Sequence, residues 1–327
     1  MSLILVLAFF VFASDVPAQK RPKPALKESD ARRAVAEAPG FALRTGAVKV
    51  KEVSPAGSTP VTVSAGVTVA FRLVRVEDER VPQTGGAFKV KRWRAAEFRT
   101  GDRAWEEFDL VADGVGRGRL EAARRALEEL VTEFESRQAA AARAEVVVVP
   151  SVPEEGDVKD KNRDRKKDEA GQKTPEPLTR GPLTIKQLSL MGSSAVAEVE
   201  VAANFTLSKE ARGKWRVTSV EVGGETAGDL EALWRSVNTR KAARAREDLA
   251  EMREALEAFR RERGLYVVGE DAVVLLDHLS PRYVRRIIRL DPWHNPYRYA
   301  GTAAAYTLAS DGPDGKRNTA DDVTLSR

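Results

Sequence analysis

The chain has 327 residues, of which 42% are apolar, so it has enough apolar side chains for more than one domain core. Its formal net charge is +5, but the 54 basic residues are mixed with 49 acidic ones, and this argues against a nucleic-acid-binding protein. Cysteine is absent, which excludes disulfides, thiolate metal sites and a lipid-bearing cysteine.

The N-terminus has the pattern of a secretory signal peptide. An apolar run over residues 3–13 precedes Val-Pro-Ala at 16–18, a small-residue pattern typical of a cleavage site. The run is shorter than the roughly 20 residues of a membrane-spanning helix, and we predict no transmembrane helix in the mature chain. We predict a cleaved signal peptide over 1–18, a flexible segment over 19–27, and a bacterial periplasmic or secreted protein, since exported chains without disulfides fit the periplasm.

Helical and then strand-like patterns follow. Residues 28–38 have helical composition and end at Pro39-Gly40, a combination that stops helices. From Val48 onward, apolar and polar residues alternate in three runs separated by glycine, proline and serine. Such alternation predicts antiparallel strands with one buried face.

The alternating pattern returns after residue 180 and indicates two copies of a three-stranded meander. Residues 86–102 align with 213–229 without a gap, at an offset of 127, and this alignment places Phe88 on Trp215 and Trp93 on Val220. Upstream, the offset is 134 for Phe71 and Leu73, which fall on Phe205 and Leu207, and 135 for Val50, which falls on Ile185. The shifts fall between strands, where hairpin loops change length.

The segments between and after the strands complete the predicted domain order. Residues 117–142 carry apolar side chains at spacings of three and four, which predicts an amphipathic helix on a sheet. A charged stretch without aromatic residues predicts a disordered linker. We therefore predict an α+β fold with a first meander copy, the linker, a second copy and a C-terminal domain, over residues 28–145, 146–180, 181–238 and 239–327.

The C-terminal third begins with a long helix pattern. Its apolar stripe includes Leu249, Met252, Leu256 and Phe259, and Gly264 follows as a helix stop. Taken alone, this stripe predicts a core helix or a coiled-coil partner.

Three stretches that follow carry a resemblance to a known family. They read "ALEAFRRERGLYV", "RYVRRIIRLDPWHNPYRY" and "YTLASDGPDGKRNTADD". In this order and spacing they resemble the globular domain of the major pseudopilin (G-type) of type II secretion systems, over about residues 240–327. The most specific part is Asp291-Pro292-Trp293 followed by Asn295-Pro296-Tyr297. The resemblance implies a long helix, a small β-sheet and a calcium-binding acidic loop.

The chain departs from the family pattern in three respects. His294 stands where the family usually has glycine, which the turn tolerates if φ is negative or if the imidazole accepts a left-handed conformation. Val267 replaces a proline. The apolar helical spine of a pseudopilin is also missing, so we expect that this chain does not polymerise as the major pseudopilin does.

The acidic loop also has a physical interpretation. Four aspartates would repel one another if the loop closed empty, while Gly312 and Gly315 let its backbone turn tightly. Calcium accepts six to eight oxygen ligands and therefore suits such a loop. The alternative interpretation is that the segment is an ordinary Asp-Gly turn region without a metal. By analogy with pseudopilins, the expected ligands are, in order of preference, Asp311 and Asp322, then Asp321 and Asp314, with the Leu308 backbone carbonyl.

The sequence offers no catalytic constellation. The two histidines are not placed in a Ser/His/Asp order or a metal-binding spacing, and no phosphate-binding glycine loop is present. The meanders weakly resemble nuclear transport factor 2-like domains through "GKWRVTSVEV". We expect a non-enzymatic, calcium-stabilised structural or interaction protein with cell-envelope protein partners, among them secretion-system components. The alternative is a periplasmic small-ligand-binding module or enzyme with a cone-shaped α+β pocket.

Overall fold

The structure, a computed structural model, contains an N-terminal sheet unit and a C-terminal helix-and-sheet unit. The predicted signal peptide, part of the flexible segment and most of the predicted linker lie outside the described residues. The structure describes residues 23–38, 40, 43–58, 60–80, 88–146, 178–211, 213–226 and 228–327.

The first meander follows the prediction from alternation. Helix α1 (Glu28–Ala36) precedes strands β1 (Val48–Val53), β2 (Val61–Arg80) and β3 (Phe88–Arg99). A short strand β4 (Glu106–Glu107) then leads into helix α2 (Phe108–Val115), which the sequence did not predict. Gly116 adopts a φ of 94° and separates α2 from helix α3 (Arg117–Val146). Helix α3 confirms the predicted amphipathic helix.

The second meander repeats this strand order. It contains β5 (Thr179–Arg180), β6 (Leu183–Met191), β7 (Ser194–Lys209), β8 (Trp215–Val222) and β9 (Glu225–Thr226). Strands β2 and β7 pair with each other in antiparallel fashion, so both meanders belong to one sheet of nine strands. Strands β1 and β3 pair with opposite halves of β2, and β6 and β8 do the same on β7.

Strand pairing relates the two meanders by a local two-fold axis. Val67 pairs with Val201, and the difference between their numbers is the offset of 134 found in the sequence. Each first strand carries a β-bulge, at Lys51 in β1 and at Lys186 in β6, which differ by 135. The internal repeat is therefore confirmed for the first two strands of each copy.

The carboxylate of Glu200 forms ion pairs with the lysines of both bulges near this axis. Lys51 Nζ lies 3.2 Å from Glu200 Oε1, and Lys186 Nζ lies 3.0 Å from Glu200 Oε2. The repeat equivalent of Glu200 is Gly66, where a Cβ atom would lie 2.6 Å from Glu200 Oε1. The glycine thus leaves room for a single glutamate, which neutralises lysines from both copies.

The ungapped alignment of the third strands is wrong by five residues. The bulge in the β2–β3 pair skips Ala96, and the bulge in the β7–β8 pair skips Thr218, a difference of 122 instead of 127. Trp93 is therefore the repeat equivalent of Trp215. A slide by an odd number of residues exchanges the two faces of a strictly alternating strand, but the bulge interrupts the alternation in each copy, so only the ladder of backbone hydrogen bonds determines the register.

Helices cover one face of this sheet. Helix α1 packs on the half formed by β1 and β8, and α3 packs on the half formed by β3 and β6. Beneath α3, the space is filled by buried side chains from the helix and the strands, among them Leu73, Trp93, Ala95, Leu127 and Leu130. The opposite face of the sheet carries polar residues, as is usual for an antiparallel sheet with one side towards water.

The C-terminal unit confirms the predicted long helix and small sheet. Helix α4 (Leu230–Arg263) begins at Asp229, whose side chain accepts a hydrogen bond of 3.0 Å from the Glu231 N–H. It ends at Gly264, which has a left-handed φ of 79°. After helix α5 (Ala272–Leu279), strands β10 (Arg298–Gly301), β11 (Tyr306–Ser310) and β12 (Val323–Ser326) form an antiparallel sheet in that order.

The apolar stripe of α4 forms the core of this unit. Leu249, Met252 and Leu256 are buried against Tyr266 and Tyr306, whose rings meet edge to face with centroids 4.8 Å apart. Burying one such leucine contributes about 1.5–3 kcal/mol to folding. In the part of the chain that the structure describes, no helix is both long and apolar enough to cross a membrane.

Candidate functional site

The acidic loop connects β11 to β12 and folds back tightly. Gly312 and Gly315 have φ angles of 63° and 65°, a left-handed conformation that glycine adopts readily. A Cβ atom at Gly312 would lie 2.5 Å from the Asp321 carbonyl oxygen, so the two ends of the loop approach each other closely. This geometry agrees with the role that the sequence suggested for the two glycines.

An arginine outside the loop contacts two of the predicted ligands. Arg298 in β10 forms an ion pair through Nε with Asp311, and its Nη2 donates a hydrogen bond of 2.9 Å to Asp322 Oδ2. Both aspartate side chains are largely buried. The guanidinium thus brings together Asp311 and Asp322, the two preferred ligands, and neutralises part of their repulsion.

Asp322 has further donors within the loop. The Thr319 hydroxyl donates to its Oδ1 over 3.0 Å, and the Asn318 N–H donates to its Oδ2 over 3.0 Å. Burial alone would raise the pKa of Asp322, but these hydrogen bonds and the charge of Arg298 lower it below its usual value. The carboxylate is therefore held in its charged form.

The other predicted ligands lie at different points of the loop. Asp321 Oδ2 accepts a hydrogen bond of 3.3 Å from the Asp314 N–H, and Asp314 Oδ1 accepts one of 2.8 Å from the Lys316 N–H. Leu308 lies in the central strand β11, between Tyr299 and Leu325.

The donor set has the chemistry that calcium prefers, since its side-chain donors are carboxylate oxygens. Asp311 Oδ1 is buried and faces a positive charge on Arg298. Among the described residues, however, no three histidine, aspartate or glutamate side chains converge as a group able to hold a metal. The carboxylates of Asp311 and Asp322 instead contact Arg298, and the carboxylates of Asp314 and Asp321 accept hydrogen bonds from N–H groups of the loop.

The turn at 291–297 holds the start of the acidic loop. Asp291 Oδ1 accepts hydrogen bonds from the N–H groups of Trp293 and Asn295, at 3.0 and 2.9 Å, and its Oδ2 accepts one of 2.5 Å from the Ser310 hydroxyl. Asn295 Nδ2 donates to the Gly312 carbonyl over 3.0 Å. These bonds explain why the turn and the loop occur together, because each satisfies polar groups of the other.

His294 adopts the left-handed conformation, which was one of the two that the sequence analysis allowed at this turn. Its φ is 72°, in the left-handed region, where a residue other than glycine is strained. Its Nε2 lies 3.6 Å from Oε1 of Glu106, which belongs to β4 in the N-terminal unit. That separation is too long for a hydrogen bond, so the contact is a close approach of polar groups.

A buried ion pair connects the two units at the same place. Lys241 in α4 is 1% exposed, and its Nζ lies 2.6 Å from Glu106 Oε2. Burial alone would raise the pKa of Glu106, but the neighbouring His294 and Lys241 lower it below the usual value. Glu106 therefore faces one residue of the long helix and one of the turn.

Helices α2 and α4 pack closely beside this pair. A Cβ atom at Gly114 would lie 2.6 Å from the Val237 Cα atom, so the helices meet at a position that only glycine fits. The Ser236 hydroxyl donates to the Gly114 carbonyl over 2.6 Å. The interface between the units thus combines close backbone packing with a buried charge pair.

A second buried cluster lies behind the turn. Asp248 of α4 accepts hydrogen bonds from Tyr297 at 2.9 Å and from Arg286 at 2.7 Å. Burial and the negative charge of Asp248 raise the pKa of Tyr297. Arg286 belongs to the basic stretch "RYVRRIIR" and remains exposed although it pairs with the buried Asp248.

Sequence reasoning missed the residues that hold the acidic loop and the interface. Lys241 and Asp248 lie on the same buried face of α4 as Ala245 and Met252. A charged residue within an apolar stripe signals a buried pair, since an unpaired buried charge is too costly. That signal could have identified the α4 residues, but it could not have identified Glu106 or Arg298 as partners.

The comparisons with known proteins agree with this geometry. Residues 232–326 match the family model for type II secretion system (T2SS) protein G, a range that includes most of α4, the turn, the acidic loop and the small sheet. The resemblance of the C-terminal region to this family is thereby confirmed. No curated protein and no solved structure matches the chain.

Proposed function

We propose that this chain is an exported, calcium-stabilised structural or interaction protein, related through its C-terminal unit to type II secretion pseudopilins. Its partners are proteins of the cell envelope, secretion-system components among them. The observation that carries the proposal is the match of residues 232–326 to the protein G family, over a folded unit with its own core.

We also propose that the chain does not polymerise through a helical spine. The helix of the pseudopilin-like unit begins at Leu230, is capped by Asp229, and directly follows β9 of the sheet unit. Its first turns pack against α2. These observations support a unit that is attached to a β-sheet domain instead of an apolar extension.

The filled core of the sheet unit favours a structural role over a ligand-binding module or an enzyme. In a cone-shaped pocket, the inner face of the meanders would line a cavity with polar groups. In the described residues beneath α3, this face is occupied by buried apolar side chains such as Leu73 and Leu127. A non-enzymatic role fits this packing better than a catalytic one.

Calcium in the acidic loop is part of the proposal. Asp311 and Asp322 would hold the ion, with Asp314, Asp321 and the Leu308 carbonyl as further ligands. A bound ion would supply the positive charge that the loop needs. Because Arg298 already contacts Asp311 and Asp322, we propose that calcium and this arginine compete for the same carboxylates.

Thermal melting tests the calcium proposal. The mature protein is melted with a chelator and with added calcium, together with Asp322→Ala and Arg298→Gln. An ion that binds the folded state raises the Tm by mass action. We expect calcium to raise the Tm of the native protein, to raise that of Arg298→Gln more, and to leave that of Asp322→Ala unchanged. An unchanged Tm of the native protein across millimolar calcium would refute the proposal.

Photo-crosslinking in the cell tests the proposed role. A photoreactive amino acid replaces Ile287, an exposed residue of the C-terminal unit, and, as a matched control, Met191 of the sheet unit, which is equally exposed. We expect specific adducts with secretion-system proteins from position 287, and recovery of the protein in the periplasmic or secreted fraction. Retention in the cytoplasm, or no specific adduct from position 287, contradicts the proposal.

A further inference from the structure

Among the residues that the structure describes, no strand pairs with the outer edge of β12 in the small C-terminal sheet. The Tyr306 N–H donates to the Arg327 carbonyl and the Arg327 N–H donates to the Tyr306 carbonyl, so these two residues form a hydrogen-bonded pair. Because such pairs alternate along an antiparallel ladder, Val323 and Leu325 also bond inward. Thr324 and Ser326 therefore direct their backbone N–H and C=O groups away from β11, and both residues are exposed.

A groove runs between this edge and helix α4. Its volume is about 430 Å³, and it is lined by Leu249, Ala250, Asp322, Thr324 and two arginines, Arg246 and Arg253. The two arginines are seven residues apart, which places them on the same side of the helix, about 10.5 Å apart along its axis. The groove thus has an unpaired strand on one wall and two cations on the other.

The arginines of the groove differ from their neighbours on α4. Arg244 lies 3.2 Å from Asp248, and Arg260 donates to the Tyr266 hydroxyl over 2.9 Å. Arg246 and Arg253 are exposed, and neither has an ion-pair partner among the described residues. Two unpaired cations beside free backbone groups favour an anionic, extended ligand.

We propose that this groove binds an extended acidic segment of a partner protein, which pairs with β12 as a fourth strand. The free N–H and C=O groups of Thr324 and Ser326 pair with its backbone, and acidic side chains on one face reach Arg246 and Arg253. The side chains that alternate with the acidic ones point to the opposite face of the added strand, away from α4. This binding site rests on the interaction role proposed above, and it specifies the chemistry of one partner.

The charges favour such a partner over a second copy of the chain. The strand "VTLS" of β12 contains no acidic residue, and Arg327 follows it. A second copy paired through this edge would present this uncharged strand to Arg246 and Arg253, and its nearest carboxylate, Asp322, is already paired with Arg298. Asp322 at one end of the groove repels acidic residues there, so the acidic side chains of the ligand must lie along the α4 side.

A binding measurement with purified protein tests the proposal. The probe is a short fluorescein-labelled peptide in which glutamate alternates with valine, and fluorescence anisotropy reports binding. One control peptide replaces glutamate with lysine. A second carries N-methyl groups on alternate amides, which blocks strand pairing but preserves every charge.

The protein variants separate charge from backbone pairing. The double variant Arg246→Gln, Arg253→Gln removes both cations, and Arg261→Gln, an exposed arginine of α4 that does not line the groove, is the matched control. Thr324→Pro removes an outward N–H without removing a bond of the β11–β12 ladder. Melting curves establish that each variant is folded.

We expect saturable binding of the acidic peptide, and a loss of about tenfold or more in the double glutamine variant, since charge-assisted hydrogen bonds are lost. Thr324→Pro and the N-methylated peptide should also bind weakly, while Arg261→Gln binds normally. Absence of saturable binding, equal binding of the N-methylated peptide, or unchanged affinity of the double variant overturns the proposal. These results are independent of the crosslinking experiment, so failure of one is distinguishable from failure of the other.

Discussion

Replacement of Glu106 by alanine tests the buried contact between the two units. Glu106 is the partner of Lys241, whose side chain has almost no access to water. After the substitution, the lysine must remain charged without a partner, lose its proton, or leave its position. Each of these outcomes costs free energy, because a buried ammonium group without a counter-ion is strongly disfavoured.

The magnitude follows from the burial of the two partners. Removal of one member of a buried ion pair costs about 3–5 kcal/mol. The Glu106 side chain is 21% exposed, so water already screens part of the pair, and the lower end of this range applies. We expect a loss of about 3 kcal/mol, equivalent to a decrease in Tm of about 6–12 °C for a domain of this size.

The assay is differential scanning calorimetry of the full chain at pH 7. Glu107→Ala is the matched control, because Glu107 is the next residue along the chain and its side chain is exposed. The double variant Glu106→Gln, Lys241→Met replaces the charges by uncharged groups of similar size, and should recover most of the lost stability. Equal effects of Glu106→Ala and Glu107→Ala, both within about 0.5 kcal/mol of the native protein, would refute the reasoning.

Three further predictions concern pH, a buried hydroxyl and the C-terminal core. The pKa of Glu106 is lower in the folded protein than in the unfolded chain, so its contribution to stability is present above the unfolded pKa and is lost as the pH falls through the folded pKa. Melting between pH 7 and pH 3 should therefore show a smaller decrease in Tm for Glu106→Gln than for the native protein, and parallel curves would contradict this. Tyr297→Phe removes one donor to Asp248 but leaves Arg286, and we expect a loss of about 1–2 kcal/mol in urea unfolding, whereas no loss would show that the hydroxyl is dispensable. Leu256→Ala creates a cavity at a fully buried position and should cost about 2–5 kcal/mol in the same assay, and a cost below about 1 kcal/mol would contradict the packing described for α4.

The strands and long helices of the fold were predictable because the sequence patterns that indicate them are local. Alternation predicted the strands of both meanders, and apolar spacing predicted α3 and α4. Gly264 correctly marked the end of α4, since a left-handed residue at that point ends a helix. Helix α2 was missed because it is short, and a few residues carry little periodicity.

The match between the repeats was predictable only in part. The offsets of the first two strands were correct, because the shared residues Phe71 and Phe205 reinforce the alternation. The third strands were misaligned because a bulge interrupts the alternation in each copy, and the sequence pattern does not report where a bulge occurs. A match of Trp93 with Trp215 requires a larger change in hairpin length, to an offset of 122 instead of 127.

The sequence by itself determined the order of elements, the pseudopilin-like character of the C-terminal region and the tight acidic loop, because each depends on residues within one short segment. The tertiary structure alone decided that Arg298 contacts Asp311 and Asp322, and that Glu106 pairs with Lys241, 135 residues away. The physical reason is that a charge is compatible with burial only if an opposite charge reaches it in space. No local pattern specifies which distant residue that will be.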